Sequence, residues 1–260
     1  MTILDELAEY AAARVAAAEK YVSAEEVRER ALSLPKGDFA FEKALAKDGL
    51  SFICECKKAS PSKGVIAEDF PYLDIAKKYE AAGADCISVL TEPKWFLGSE
   101  KYLEEIAGEV KIPCLRKDFT VSDYMIYEAK LLGASAVLLI CSILSTSAIE
   151  RYLGVCDELG LSALVEAHNA EEIKTALSAG ARIIGVNTRD LTDFSVDTGN
   201  AGRLRTLVPE GVLFVSESGV KTREDVAKIE QSSADAVLVG EALMRAEDIS
   251  SKLAELKGER

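Results

Sequence analysis

Residues 130–140 read KLLGASAVLLI, in which the end of a helical pattern is followed by a glycine and then by an unbroken apolar run. The same order recurs in EAAGADCISVL (80–90), DELGLSALVEA (157–167) and SAGARIIGVN (178–187), and in QSSADAVLVG (231–240) with Ser232 and Ser233 in place of the glycine. Glycine at the stop is typical of a helix that ends in the left-handed conformation. Apolar runs without alternation indicate strands that are covered on both faces. The repeat therefore predicts a parallel sheet whose strands are joined by crossover helices.

Three more runs complete the set of candidate strands: SFICEC (51–56), KIPCLR (111–116) and GVLFVS (211–216). The chain then holds eight candidate strands, each followed by a segment long enough for one helix. This pattern predicts an α/β protein with a (β/α)₈ TIM barrel, a fold of about 250 residues. A doubly wound open sheet is the alternative, but no G-x-G-x-x-G follows the first strand.

The chain before the first strand, residues 1–48, has a helical pattern. Ser23 stands where a helix N-cap is expected, and Glu26 follows three residues later, which is the spacing of a capping box. No low-complexity linker separates this segment from the barrel. We therefore expect a helical extension packed on a barrel formed by residues 49–260, with one domain overall.

Composition narrows the classes of partner. A net charge of −13 argues against nucleic acid, because neutralising phosphates needs a basic face. No run of 18 apolar residues is present, and the start of the chain lacks the pattern of a signal peptide, so we expect a cytoplasmic protein without a membrane partner. The six cysteines have no C-x-x-C spacing and are expected to act as small hydrophobic residues.

His168 is the only histidine, so proton transfer is expected to depend mainly on other side chains. Its position near the end of a candidate strand favours a structural role over a catalytic one. Two-histidine metal sites and most Ser-His-Asp arrangements are difficult to build in this chain.

In a barrel of this kind, the chemistry is found at the carboxyl ends of the strands. Polar side chains stand there after five of the candidate strands: Glu55, Lys57, Arg116, Lys117, Asp118, Glu166, Asn187, Arg189, Glu217 and Ser218. A single strand-end carboxylate is usually paired for structural reasons, but this convergence predicts a site. Burial of Glu55 with Lys57, and of Lys117 with Glu166, is explained if each acid pairs with a base.

The last two strands are followed by residues that suit a phosphate group. Backbone N–H groups near glycines can approach an anion closely, and such sites usually follow strands 7 and 8 of a barrel. The residues in that position are Ser218, Gly219, Gly240 and Glu241. Ser60, in the loop after the first strand, is expected to add a hydroxyl group, and Lys57 a positive charge.

The stretch ECKKASPSKG (55–64) closely resembles the signature of the indole-3-glycerol phosphate synthase family. Further motifs follow in that family's order: LRKDF (115–119), VEAH (165–168), GVNTRDL (185–191), SESGV (216–220) and VGEALM (239–244). The resemblance covers nearly the whole chain, including the helical extension. Departures are the cysteines that flank Glu55, Thr188, and the unusual segment FSVDTGNAG (194–202), which affect loop detail rather than the reaction.

The resemblance implies a carboxy-lyase of tryptophan biosynthesis. Its reaction closes the ring of 1-(2-carboxyphenylamino)-1-deoxyribulose 5-phosphate, with loss of CO₂ and water, to give indole-3-glycerol phosphate. It implies no metal and no cofactor, and a small phosphorylated substrate as the only partner. We expect the chain to be a monomer.

The resemblance also implies roles for individual residues. Lys117 matches the family's catalytic lysine, the acid that protonates the ketone oxygen. Lys57, Glu55 and Glu166 are candidates for the second acid and the base, and the sequence leaves their assignment open. Asn187 and Glu217 would orient the substrate hydroxyls, whereas the residues expected to contact the rest of the substrate are Ser60, Phe96, Phe119, Leu138, Arg189, Ser218, Gly219, Gly240 and Glu241.

Two other functions are weighed against this one. Another phosphate-binding barrel enzyme, such as phosphoribosylanthranilate isomerase, would use an Asp or Cys pair near strands 1 and 5, whereas this chain has Glu-x-Lys on strand 1 and a lysine on strand 3. A non-catalytic phosphate-binding barrel would be expected to have lost the strand-end acids and bases, and they are all present.

Overall fold

Eight parallel strands form a closed barrel in the computed structural model, which describes residues 2–187 and 198–259. We number the barrel strands β1–β8: Ser51–Cys56, Cys86–Leu90, Cys114–Lys117, Ala136–Ile140, Ser162–Ala167, Ile183–Asn187, Leu213–Glu217 and Ala236–Val239. Each strand pairs with the next, and β8 closes the barrel on β1 with Ser51 opposite Ala236. The predicted (β/α)₈ barrel is confirmed, and the doubly wound alternative is excluded.

Helices lie between the strands and before the first of them. The described helices, α1–α12, are Ile3–Ala18, Ala24–Ser33, Ala40–Leu45, Tyr72–Ala81, Glu100–Glu109, Asp123–Leu131, Thr146–Leu159, Ala170–Ser178, Thr198–Arg205, Arg223–Gln231, Glu241–Met244 and Ile249–Lys257. A small antiparallel hairpin, Ala59–Ser60 with Gly64–Val65, stands in the loop after β1. None of the helices in the described part of the chain is long and apolar enough to cross a membrane.

Two strands begin later than the sequence predicts. β3 starts at Cys114 instead of residue 111, because Pro113 has no N–H to donate to a neighbouring strand. β7 starts at Leu213 instead of residue 211, because Gly211 has a φ of +87°, outside the extended region. Both strands also run one residue further than predicted, so that Lys117 and Glu217 are their last residues.

Side-chain alternation separates the barrel interior from the layer between sheet and helices. Phe52, Cys54 and Cys56 of β1 pack in the outer layer, whereas Ile53 packs in the interior. Because successive strand residues point to opposite faces, the residue two positions after an interior residue also faces inward. Four polar residues stand in this relation to interior hydrophobic ones: Glu55 to Ile53, Lys117 to Leu115, Glu166 to Leu164 and Glu217 to Val215.

The first three helices contact the barrel at both of its ends. α3 lies at the amino ends of the strands, where Ser51 Oγ donates to the carbonyl of Ala44 and Glu42 N donates to Ser162 Oγ. α1 lies at the other end, where Leu7 packs with the buried Phe119. α2 begins as predicted, since the Ser23 side chain accepts a hydrogen bond from the Glu26 N–H. That the extension and barrel form one domain stays a prediction.

Candidate active site

A cavity of about 510 Å³ opens at the carboxyl ends of the strands. The described residues that were predicted to act on or contact the substrate all line it: Glu55, Lys57, Ser60, Phe96, Lys117, Phe119, Leu138, Glu166, Asn187, Glu217, Ser218, Gly219, Gly240 and Glu241. Arg189 lies outside the described residues, as does Thr188. The periodicity of the strands therefore brings together side chains that are as much as 186 residues apart in sequence, from Glu55 to Glu241.

Lys117 stands between two carboxylates. Its Nζ lies 3.1 Å from Glu166 Oε2 and 3.4 Å from Glu217 Oε2. Asn187 Nδ2 donates to the other oxygen of Glu166 at 3.4 Å, and Asn187 Oδ1 accepts from Ser218 Oγ at 2.8 Å. Four strands and the loop after β7 thus supply one connected polar cluster around a single ammonium group.

The charges of this cluster are set by burial and by one another. Burial opposes ionisation of Lys117, but Glu166 and Glu217 outweigh it and hold the pKa of the lysine above its ordinary value. Burial likewise opposes ionisation of Glu166, but Lys117 lowers its pKa. Burial raises the pKa of Glu217 to about 8. The positive charge of Lys117 opposes this rise, and the negative charge of ionised Glu166 adds to it. At neutral pH the cluster therefore holds an ammonium group, one carboxylate and one protonated carboxyl group.

A second acid–base pair lies beside strand β8. Lys57 Nζ is 2.6 Å from Glu55 Oε1, as the sequence predicted, and Ser88 Oγ donates to the other oxygen of Glu55 at 3.5 Å. A Cβ added at Gly240 would lie 2.6 Å from Glu55 Oε1 and 3.2 Å from Lys57 Nζ. The absence of a side chain at position 240 therefore makes room for this pair.

Backbone groups and cations meet at the end of the cavity near β7 and β8. Ser218 and Gly219 have φ values of +71° and +85°, a conformation that is uncommon for a serine and that turns the chain sharply after β7. Three basic residues that the sequence reasoning missed also line the cavity: Lys221, Arg245 and Lys252. Their positions on or beside the last helices gave no local signal, although a phosphate group would be attracted by all three.

The opposite wall of the cavity is apolar. The rings of Phe96 and Phe119 are 6.1 Å apart between centroids, and Leu138 is buried beside them. Helix α1 adds Ile3, Leu4 and Leu7 to this wall. The cavity therefore joins a cationic end, a polar centre and an apolar wall.

The loop that carries Phe96 is built around a buried carboxylate, Glu92. Glu92 accepts hydrogen bonds from the backbone N–H groups of Lys94 at 2.8 Å, Trp95 at 2.7 Å and Phe96 at 2.9 Å. A buried charge is tolerated there because three donors converge on it. The sequence reasoning missed Glu92, since nothing in its local pattern distinguishes it from a surface glutamate.

Arg116 and Asp118, which flank Lys117, have a structural role. Arg116 is buried among Glu100, Glu128 and the carbonyl of Met125, on the outer side of the barrel. Asp118 accepts from Arg14 and Thr91, which lower its pKa against the effect of burial, Arg14 most of all. Because strand residues alternate, Lys117 alone of these three places its charged group in the polar cluster.

His168 lies behind Glu166. Its Nε2 is 3.4 Å from Glu166 Oε1, and its Nδ1 is 3.1 Å from Glu172 Oε2. Glu172 Oε2 also accepts from the backbone N–H of His168 at 2.9 Å. The histidine therefore connects the polar cluster with the first turn of helix α8.

Comparison with known proteins agrees with this geometry. A family model described as indole-3-glycerol phosphate synthase matches residues 4–256. The chain is 54% identical over 257 residues to a protein of that name from Ruminiclostridium cellulolyticum, covering 98% of this chain and 99% of the other. It is 52% identical over 256 residues to one from Endomicrobium trichonymphae, with the same coverage.

Among solved structures, 3-hexulose-6-phosphate synthase from Salmonella typhimurium is similar, with a TM-score of 0.66 and 14% identity. The match covers 80% of this chain and 97% of the other chain. At this identity the similarity supports the barrel fold alone.

Proposed function

The chain belongs to the indole-3-glycerol phosphate synthase family, and from this premise we propose how its own residues perform that reaction. The substrate is 1-(2-carboxyphenylamino)-1-deoxyribulose 5-phosphate, and the products are indole-3-glycerol phosphate, CO₂ and water. The comparisons do not favour phosphoribosylanthranilate isomerase or a non-catalytic barrel.

The observation that carries the assignment of residues is the position of Lys117 between Glu166 and Glu217. In the first step, the ring carbon that bears the carboxylate attacks the ketone carbon, and the ketone oxygen needs a proton. Lys117 lies at the centre of the cavity with its side chain 14% exposed, and against the effect of burial its acidic neighbours, ionised Glu166 first among them, hold its pKa above the ordinary value and keep it protonated. A fixed acid of this kind supports protonation of the oxygen as the new bond forms.

The apolar wall supports the loss of CO₂. Phe96, Phe119 and Leu138 offer a surface for the anthranilate ring, and the Ile3 and Leu4 side chains of α1 extend it. A carboxylate held among such groups is poorly solvated, so its departure as neutral CO₂ relieves an unfavourable arrangement. The electrons of the broken bond restore the aromatic ring without any proton transfer.

The Lys57–Glu55 pair supports the final dehydration. This step needs an acid for the leaving hydroxyl group and a base for the proton lost from the neighbouring carbon. The two groups are 2.6 Å apart, close enough for the proton that Glu55 takes up to return to Lys57. We therefore assign Lys57 as the second acid and Glu55 as the base.

The remaining residues position the substrate. Ser60, Ser218, Gly219, Gly240 and Glu241 line the end of the cavity that suits the phosphate group. Asn187 and Glu217 lie beside Lys117, where they can hold the hydroxyl groups of the sugar chain. We place Arg189, two residues beyond β6 in the sequence, among the substrate contacts on the family resemblance alone.

We also propose that the enzyme acts as a cytoplasmic monomer without a nucleic-acid partner. The net charge of −13 supports the last point, since it disfavours an approach to phosphate backbones. Light scattering of the purified chain tests the first, because a monomer gives the mass of one chain.

The test of the assignment is the variant Lys117→Ala. We expect the rate of indole formation in a single turnover to fall by roughly 10² to 10⁴, the range for a positioned acid, with little change in substrate affinity. The matched control is Lys174→Ala, which removes an exposed lysine of α8 that pairs with Glu171. Circular dichroism with a melting curve establishes that both variants are folded.

A folded Lys117→Ala variant that keeps more than about a tenth of the normal rate would show that another group is the principal acid. If Lys117 only neutralised its carboxylate neighbours, the variant would instead lose stability, and the rate per folded molecule would stay high.

A further inference from the structure

The proposed reaction takes up more protons than it releases, so the site must receive a proton in every turnover. One proton is added to the ketone oxygen and a second to the departing hydroxyl group, whereas only one is removed, from the carbon beside the ring nitrogen. The carboxylate leaves as CO₂ and returns no proton. Each turnover of the ionised substrate therefore takes one proton from water.

The two acids of the proposed mechanism differ in how they recover their protons. The Lys57–Glu55 pair takes up one proton and gives up one, so it ends each cycle as it began. Lys117 gives a proton to the ketone oxygen, and that oxygen later leaves as water. Lys117 is therefore the group that must be protonated again, and its side chain is only 14% exposed.

The structure places a chain of titratable groups between Lys117 and the solvent. Glu166 contacts Lys117 with Oε2 and faces His168 Nε2 with Oε1, at 3.1 and 3.4 Å. His168 contacts Glu172 through Nδ1 at 3.1 Å, and the side chains of His168 and Glu172 are 18% and 19% exposed. Neither His168 nor Glu172 lines the cavity, so bound substrate does not cover them.

We propose that His168, held by Glu172, is a proton-relay residue that returns a proton from water to Lys117 through Glu166 after each turnover. The inference rests on the assignment of Lys117 as the acid. In the relay, the N–H bond at Nε2 of the imidazolium breaks and an O–H bond forms at Glu166 Oε1. Rotation of that carboxyl group then lets Glu166 protonate the neutral amine of Lys117, and water restores the proton on the partly exposed imidazole.

The surroundings of His168 suit this task. Burial disfavours its protonated form, but the hydrogen bond that it donates to Glu172 and the charge of Glu166 outweigh burial and raise its pKa, with a smaller contribution from Glu217. Glu166 is ionised beside it and can accept a proton, because Lys117 lowers its pKa against the effect of burial.

A purely structural role explains less of this arrangement. The first turn of α8 is already capped by Asn169, whose side chain accepts from the N–H groups of Glu171 and Glu172. Glu172 is in turn fixed by the backbone N–H of His168 at 2.9 Å and by Asn169 Nδ2 at 2.8 Å. None of these hydrogen bonds needs the imidazole ring, so its placement between two carboxylates calls for another explanation.

The experiment compares the first turnover with later ones in His168→Gln, a variant that keeps the backbone hydrogen bonds but cannot carry the proton. The first turnover uses the proton already on Lys117, so we expect it to run at the wild-type rate. The steady-state rate should fall by roughly 10², the low end for a lost proton donor. In His168→Ala, added imidazole at constant pH and ionic strength should restore the steady-state rate.

The matched control is Ser145→Ala, which removes the side chain that caps helix α7 and should lower the melting temperature while changing neither rate. Equal losses in the first and later turnovers of His168→Gln would overturn the proposal in favour of a structural role. No loss in either would overturn it too, since protons would then enter through the mouth of the cavity. Failure of the Lys117 assignment is separate, because it appears in the first turnover of Lys117→Ala.

Discussion

The Glu217 carboxyl group fits into the barrel because position 185 has no side chain. A Cβ at Gly185 would overlap Glu217 Oε1 and would lie 3.1 Å from Leu164 Cδ1. Glu217 is therefore fixed in a closely packed interior, where desolvation raises its pKa to about 8. The same burial that positions it for the substrate makes its ionisation costly.

This gives a prediction for the pH dependence of stability. An unfolded glutamate has a pKa of about 4.3, so between that pH and about 8 the folded chain holds a proton on Glu217 that the unfolded chain lacks. The contribution of this group to the free energy of unfolding therefore falls as pH rises through that window. Glu217→Gln has no such titration, and its melting temperature relative to wild type should rise from pH 5 to pH 8.

Melting curves of both proteins at pH 5, 6.5 and 8 make the measurement. At each pH the melting temperature of the wild type is subtracted from that of Glu217→Gln, so the effects of groups that titrate equally in both proteins cancel. A difference that stays constant with pH would mean that Glu217 is ionised throughout.

Gly240→Ala is predicted to disturb the second acid–base pair. The new Cβ would lie 2.6 Å from Glu55 Oε1, so Glu55 must move and its contact with Lys57 is lost. Ring closure and decarboxylation should continue while dehydration slows, so that CO₂ is released ahead of indole absorbance in a rapid-mixing experiment. The control is Gly108→Ala, in helix α5, where an added Cβ meets no atom within 4 Å. Release of CO₂ and indole at the same reduced rate would contradict the assignment of this pair to the last step.

At the scale of elements, β3 joins the site to the extension. Lys117 points into the barrel, while Asp118 contacts Arg14 of helix α1 through both carboxylate oxygens, at 2.5 and 3.1 Å. The Asp118 side chain is fully buried and the Arg14 side chain is 19% exposed. The ion pair therefore holds α1, with its Ile3 and Leu4 side chains, against the cavity.

A double-mutant cycle on Arg14→Met and Asp118→Asn tests this connection. We expect Arg14→Met to cost up to about 3 kcal/mol, because it deprives a buried carboxylate of its nearest cation. Substrate affinity should also fall in Arg14→Met, because helix α1, which carries part of the apolar wall, is no longer held against the cavity. Unfolding titrations and substrate titrations on the four proteins make the measurement, and additive effects would mean that the two residues do not act together.

The sequence predicted elements better than it predicted contacts between them. The repeat of helix end, small residue and apolar run indicated five strands, and three further apolar runs completed the eight. The carboxyl ends of these strands placed Glu55, Lys57, Lys117 and Glu166 at one end of the barrel. The pairing of Glu55 with Lys57 followed from their spacing of two. Arg14 and Asp118 are 104 residues apart, and no periodicity links them. Glu92 and the basic residues near the last helices were missed for the same reason, because their partners are set by the closed barrel.

At the scale of the molecule, we predict that the extension and barrel unfold together. Trp95 is the only tryptophan, and its ring stands edge-on to Tyr10 of α1 with centroids 5.5 Å apart, so its fluorescence reports the contact between α1 and the loop after β2. Thermal transitions followed by Trp95 fluorescence and by far-ultraviolet circular dichroism should coincide. A fluorescence change at lower temperature would show that the extension separates first, and the one-domain prediction would be wrong.

The segment between α2 and α3 donates backbone hydrogen bonds to the carboxyl end of helix α7, which comes much later in the sequence. Gly37 N donates to the carbonyl of Leu159 at 2.8 Å, and Phe39 N donates to that of Gly160 at 3.1 Å, at the end of α7. Gly37 also lies so close to Gly160 that a Cβ at position 37 would overlap the carbonyl oxygen of Gly160. Anyone who wishes to permute this chain or reassemble it from two fragments should therefore leave residues 37–39 intact. The turn at Tyr21, whose side chain is 89% exposed, is the better place for a cut.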